Sequence, residues 1–150
     1  LADAIGLLAM DKRAAAAGQP VLVRVLHCME EDAAVADGEA LLAALAGAEG
    51  VGEGGVMVEM YCATHSEALL DKMRLKVPPD AQRWLRPRRA LLPAALADLR
   101  DFAFDVVLLH GSVQAWGPLP QLRADLHRLA TPGGLVVLRG LPEQEAARMR

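Results

Sequence analysis

Aromatic residues are scarce in this chain: two Trp, one Tyr and two Phe among 150 residues. That scarcity argues against the stacking platforms that hold single-stranded nucleic acid. It also leaves the core to be built from Leu, Val, Ala and Met. Cysteine is nearly absent. Cys28 and Cys62 cannot make the multi-bridge framework of a small secreted domain, so free thiols in a reducing compartment, and a cytoplasmic location, are expected. No apolar run reaches the roughly 18 residues that a membrane helix needs, and the stretch before Val21 lacks the basic front of a signal peptide. Neither sign of charge dominates. A net charge of −3 offers no broad field to collect a polyanion. An initiator methionine is missing too: the first residue is Leu1, and the chain is expected to be a domain or fragment of a longer protein.

What is present points to a folded domain. Apolar residues make up 53% and charged residues 23%, the balance of a globular protein. A chain of 150 residues supports one domain with a substantial core rather than two. Residues 1–19 are expected to form an N-terminal helix and residues 20–150 the core of the domain.

The order of patterns is informative. Residues 2–17 read as an alanine-rich helix, with Ile5, Leu8 and Ala9 on one face and Gly18 and Pro20 stopping it. Residues 21–29, VLVRVLHCM, form a near-continuous apolar run that suits a strand covered on both faces. Asp37 is placed to cap a helix over residues 37–45, with Leu41, Leu42 and Leu45 as its stripe and Gly47 as its end. The segment EGVGEGG reads as a surface turn, and residues 56–63 as a second strand. Thr64 and Glu67 have capping-box spacing ahead of a helix that runs through Leu69, Leu70 and Met73. AQRWLRP has room for a short edge strand, and residues 90–100 for a helix bearing Leu92, Leu96 and Leu99. Residues 104–110 form a strand, 120–130 a helix, 131–134 a turn, 135–140 a strand, and 141–150 open another helix. Alternation of this kind implies βαβ units and a three-layer, doubly wound, mostly parallel α/β sheet.

Several of these segments resemble the class I S-adenosylmethionine-dependent methyltransferases. Phe104-Asp105-Val106-Val107 is similar to the opening of that family's fourth strand. LPQLRADLHRLATPGGLVVLRG resembles its next helix, Pro-Gly-Gly turn and fifth strand. THSEALLDKM resembles the segment after its second strand. The resemblance spans residues 20–140 and implies a Rossmann-like fold and S-adenosylmethionine as the cofactor. This chain departs from the family where the cofactor is held. Where the resemblance implies an acid followed by Gly-x-Gly, strand one runs into LHCMEEDAAV, and the next glycine is Gly38. Met29 and the acids Glu30, Glu31 and Asp32 stand where bare backbone is needed, and those acids would repel the cofactor's carboxylate. Ala63 falls where an acid should hold the ribose, and Glu59 comes several residues too early. The hairpin of strands six and seven has no room before Arg150.

Ligands of open α/β sheets sit beyond the carboxyl ends of the strands. Those ends carry His27 and Cys28, then Ala63 and Cys62 followed by His65, then His110, Gly111 and Ser112. If S-adenosylmethionine binds, His27, Cys28, Ala63, His65, His110, Gly111 and Ser112 are the residues to contact it, with Trp116 near the acceptor. A second reading makes His27, Cys62, His65 and His110 ligands of a zinc-like metal. A Cys-His nucleophile lacks any accompanying acyl-transfer motif. The plainer reading makes both cysteines small buried hydrophobes and the histidines hydrogen-bonding residues at loop starts. Asp105 is expected to cap a neighbouring loop. The cluster Arg83, Arg86, Arg88 and Arg89 with Trp84 reads as a surface for an acidic or protein partner more than for nucleic acid.

The expected function is therefore a non-catalytic, methyltransferase-like scaffold or interaction domain with no cofactor, a protein partner and no membrane. A divergent methyltransferase is the first alternative and a small Cys/His metal-binding domain the second.

Overall fold

In a computed structural model of the chain, residues 2–17, 19–46, 55–82, 85–89, 94–97, 99–112 and 116–140 are described. Five strands form one sheet: β1 (Val21–Cys28), β2 (Val56–Thr64), β3 (Leu85–Arg89), β4 (Phe104–His110) and β5 (Ala130–Arg139). Their order is β3-β2-β1-β4-β5, and every pairing is parallel. The helices are α1 (Ala2–Ala15), α2 (Asp32–Ala46), α3 (Glu67–Lys76), α4 (Pro79–Gln82), α5 (Ala94–Ala97) and α6 (Leu119–Leu129). Among the described residues the sheet ends at β5. The doubly wound, three-layer α/β architecture expected from the alternation of patterns is the one observed.

The alternation of side chains along each strand divides the core in two. Val23, Val25, Val58, Met60, Cys62 and Val106 pack beneath α1, α2 and α3, where they meet Ile5, Val35, Leu42, Leu45, Leu70 and Met73. Leu26, Cys28, Ala63, Val107 and Leu109 face the other way, against Leu96 of α5, Trp116 and the Leu122, Leu126 and Leu129 stripe of α6. β4 is buried at every position. This is why its sequence is a continuous apolar run rather than an alternating one. Each fully buried leucine contributes about 2 kcal/mol of transfer free energy.

Asp105, inside that buried strand, is satisfied three times. Its carboxylate accepts from Lys12 Nζ at 2.5 Å, from the Arg24 backbone N–H at 2.9 Å and from Thr131 Oγ1 at 3.2 Å. β1 pairs with β4 only from Val25 onward, so the Asp105 side chain supplies an acceptor to Arg24 just where the ladder begins. The acid caps a neighbouring strand and anchors α1, rather than capping a loop.

Four boundaries differ from the sequence reading. α2 begins at Asp32, not Asp37. Its first turn is built from alanine and valine, and Ala34 and Val35 are buried against the sheet, so packing draws five more residues into the helix. Asp37 is then an interior position free to point at another element. Ser66, not Thr64, is the N-cap residue of α3, with no side-chain capping bond. Thr64 is paired with Arg89 as the last residue of β2, and its hydroxyl accepts from the Ser66 N–H at 3.1 Å. The Thr-Pro-Gly-Gly segment is part of β5, not a separate turn. The β4–β5 register shifts between Phe104 and Val106, and Gly133 takes φ +79°, so the glycines build an irregularity within the strand. Finally, the helical part of residues 90–100 that is described is only Ala94–Ala97.

The edge strand expected in AQRWLRP is β3, where Pro87 is tolerated because, among the described residues, β3 pairs with β2 alone. Gly18, Gly47, the turn at residues 49–54, Arg83, Trp84, residues 90–93, and the helix expected over 141–150 lie outside the described residues, as do the side chains of Arg86, Arg88 and Arg89. Among the described residues no helix is long and apolar enough to cross a membrane.

Candidate functional site

The strand order reverses at β1, which lies between β2 and β4. The crevice beyond the carboxyl ends of these strands is where a sheet of this type receives a ligand. His27, Cys28, Cys62, Ala63, His65, His110, Gly111 and Ser112 all come from this rim, as their positions in the sequence imply.

The two faces of the sheet then separate them. His27 stands opposite Cys62 in register, and Cys28 opposite Ala63. Cys62 joins the core under α2 and α3, whereas Cys28 and Ala63 join the core under α6. The two thiols therefore lie on opposite faces, both buried. Burial pushes the Cys62 thiol up to about 12, and burial together with the nearby Glu30 pushes Cys28 higher still. Neither thiol ionises near neutral pH, so neither is an activated nucleophile.

His27 is fully buried, and neither ring nitrogen has a hydrogen-bond partner. Its ring packs tightly beneath α2 at Gly38. Burial, reinforced by His110, lowers its pKa from 6.5 to about 4, so the imidazole is neutral. His110, at the end of β4, is also buried. Its Nδ1 lies 3.1 Å from the Glu31 carboxylate, without the alignment of a hydrogen bond, and its Nε2 lies 3.3 Å from Asp37. Asp37 in turn pairs with Arg139 at the end of β5 at 2.9 Å. His65 is on the other side of β1, where Nδ1 stands 2.9 Å from Glu30. Burial of Glu30 raises its carboxyl pKa above the ordinary value, and His65 opposes that rise.

The rim is thus tied together by acid–histidine pairs that the sequence reading did not foresee. Glu30 links the β1 end to the β2 end. Glu31 and Asp37 link the start of α2 to β4 and β5. Of the acids expected to repel an anionic ligand, Glu30 and Glu31 face His65 and His110, and Asp32 pairs with Lys72 at 2.7 Å. The glycines follow the same logic. Gly111 adopts φ +96°, where a side chain would be strained, and a Cβ there would stand 3.1 Å from Glu30 Cβ. Its backbone N–H donates to the Arg139 carbonyl at 3.0 Å. Ser112 is exposed beyond it. Trp116 is 2% exposed and belongs to the core against α6.

Among the described residues no group of three or more His, Cys, Asp and Glu side chains is arranged to hold a metal ion. Of the four proposed ligands, His27 and His110 share a face with Cys62, while His65 is half-exposed and engaged with Glu30. A described cavity of about 430 Å³ lies elsewhere, beside Phe104 at the opposite end of β4 from His110.

No protein-family model matches the sequence, and no curated protein matches it. Solved structures share its fold. A DszA carbon methyltransferase superposes with a TM-score of 0.64 at 19% identity, covering 88% of this chain and 32% of that one. A CurJ carbon methyltransferase gives 0.53 at 14% identity, covering 81% and 29%. The CMeT domain of the citrinin polyketide synthase gives 0.50 at 18% identity, also covering 81% and 29%. The chain spans about a third of the length of these structures. At such identities the likeness is one of architecture: this chain has a methyltransferase-like, Rossmann-like α/β fold.

Proposed function

We propose that the chain is a non-catalytic, methyltransferase-like scaffold that works within a larger polypeptide or assembly. The observation that carries this reading is the Glu30–His65 pair at 2.9 Å. It spans the ends of β1 and β2, where a cofactor would have to lie over bare backbone. The donor set points the same way. An S-adenosylmethionine-like ligand brings its own carboxylate, and the β1–α2 connection sets the acids Glu30 and Glu31 against it. No glycine occurs between Cys28 and Asp37 to permit close approach. Met29, the first residue after β1, is fully buried and cannot clear the way without opening the core. These residues do not fit the cofactor, and no transfer step is assigned to them.

The context of a larger protein is supported by the neighbours' length, one of which is itself a domain of a polyketide synthase. The arginine-rich stretch with Arg86, Arg88 and Arg89 is the proposed contact for an acidic protein partner.

Native mass spectrometry and calorimetry of the purified chain with S-adenosylmethionine and S-adenosylhomocysteine test the reading. Neither ligand should bind more tightly than ~1 mM, which corresponds to about −4 kcal/mol. A bound cofactor mass with micromolar affinity would overturn the scaffold and establish a divergent methyltransferase.

A further inference from the structure

Phe and Tyr occur three times in the whole chain, as Tyr61, Phe102 and Phe104, and all three line the 430 Å³ cavity at the amino end of β4. Two arginines, Arg24 and Arg100, line it with them. In a core otherwise built mainly of aliphatic side chains and Trp116, this concentration stands apart. The volume lies at the lower end of the range of small-molecule pockets, ~300–1,000 Å³.

The aromatic surfaces are arranged rather than merely adjacent. Tyr61 and Phe104 meet edge to face, with ring centroids 5.4 Å apart, and this fixes one wall. Phe102 is 54% exposed and adopts φ +49°, a conformation that costs a bulky side chain strain. Backbone strain of this kind persists only where its surroundings over-determine it. Arg128 supplies that constraint. Its carbonyl accepts from the Phe102 N–H at 2.7 Å, and its guanidinium donates to the carbonyls of Leu96 and Leu99 and to Asp101 at 2.6–2.7 Å. A strained, clamped loop holds an exposed ring at the cavity.

The charges are unequal. Asp101 is committed to Arg128 at 2.6 Å. Arg24 lies 3.6 Å from Glu59, which also accepts from the Tyr61 hydroxyl at 3.2 Å. Among the described residues no carboxylate pairs with Arg100, so one guanidinium fork remains to receive an anion. Guanidinium matches a carboxylate in two parallel hydrogen bonds, and Phe and Tyr rings favour offset or edge contacts with another ring.

We propose that this cavity is a binding site for a small aromatic carboxylate, the ring held by Tyr61, Phe102 and Phe104 and the carboxylate by Arg100. The site is at the opposite end of β4 from the methyltransferase-like rim and does not depend on that rim's function.

Saturation-transfer NMR and calorimetry with 2-naphthoate, and with the neutral 2-naphthalenemethanol as a matched ring, test the proposal. Wild type should bind the carboxylate about tenfold more tightly than the alcohol, the gain of one charge-assisted contact. Arg100→Ala should erase that difference and leave the alcohol unaffected. Phe102→Gly should weaken both ligands alike while remaining folded, because glycine accepts φ +49° without strain. Absence of binding, equal affinity for acid and alcohol in wild type, or preference for the acid that survives Arg100→Ala would each overturn the proposal.

Discussion

His27 makes the fold acid-sensitive in a way that can be calculated. The ring is buried under α2 with both nitrogens unpartnered. It faces His110 on β4, Asp37 and Gly38 on α2, Met73 on α3 and Arg139 on β5. Desolvation is the largest cause of its lowered pKa, followed by repulsion from His110, and attraction to Asp37 only partly compensates. The folded value is about 4 and the ordinary value 6.5. Between those limits the unfolded chain takes up a proton that the folded chain refuses, so stability falls as pH falls. The contribution is intact above about pH 6.5, declines through the interval and is fully lost below about pH 4. A shift of roughly 2.5 units corresponds to about 3 kcal/mol, a large share of the 5–15 kcal/mol that holds a typical domain. His27→Leu removes the titration and replaces two unsatisfied buried nitrogens with an apolar side chain. At pH 7 it should raise stability by about 1 kcal/mol. Urea unfolding of both proteins from pH 4 to pH 8 is the assay. Titrations common to the two proteins cancel in the difference, which should widen by about 3 kcal/mol toward acid. Parallel curves would refute the reasoning, and so would a His27 ring that titrates near 6.5 by NMR.

Other expectations follow from the packing. Gly38 lies inside α2, where alanine ordinarily stabilises a helix by about 1 kcal/mol. A Cβ there would stand 2.7 Å from Met73 Cε and 2.9 Å from two atoms of the buried His27 ring. Met73 can shift but the ring cannot, so Gly38→Ala should cost about 1–2 kcal/mol in urea unfolding. Gly6→Ala, with nothing within 4 Å of the new methyl, should raise stability by about 0.5–1 kcal/mol. Asp105→Asn leaves Lys12 without its charge partner and the Arg24 N–H with a poorer acceptor, and should lower stability by about 3 kcal/mol. Lys12, one-third exposed, retains water as a fallback, so a loss well above that would point to collapse of the β4 start. Cys28 and Cys62 should resist a thiol reagent in the native protein and both react in urea, and rapid native labelling of either would contradict their burial.

The sequence by itself determined the architecture. Continuous apolar runs at residues 21–28 and 104–110, separated by helical patterns, admit few arrangements other than a parallel sheet covered on both faces. The absence of glycine between Cys28 and Asp37 was equally legible, because a missing residue type needs no coordinates. Only the tertiary structure decided what fills that stretch. Whether Glu30 and Glu31 repel a ligand or face His65 and His110, and whether Asp37 caps a helix or pairs with His110 and Arg139, depends on contacts between residues 35 to 102 positions apart. It also depends on α2 starting at Asp32, which turns Asp37 from a cap into a partner of His110. The same holds for the aromatic cavity. Tyr61 and Phe102 are isolated letters in the sequence, and they line one cavity only because the fold brings β2 and the entry to β4 to the same place. Local patterns report which face of an element is apolar. Which charged groups converge is set by strand order, register and the rotation of each helix on the sheet, and these emerge only when the whole core is packed.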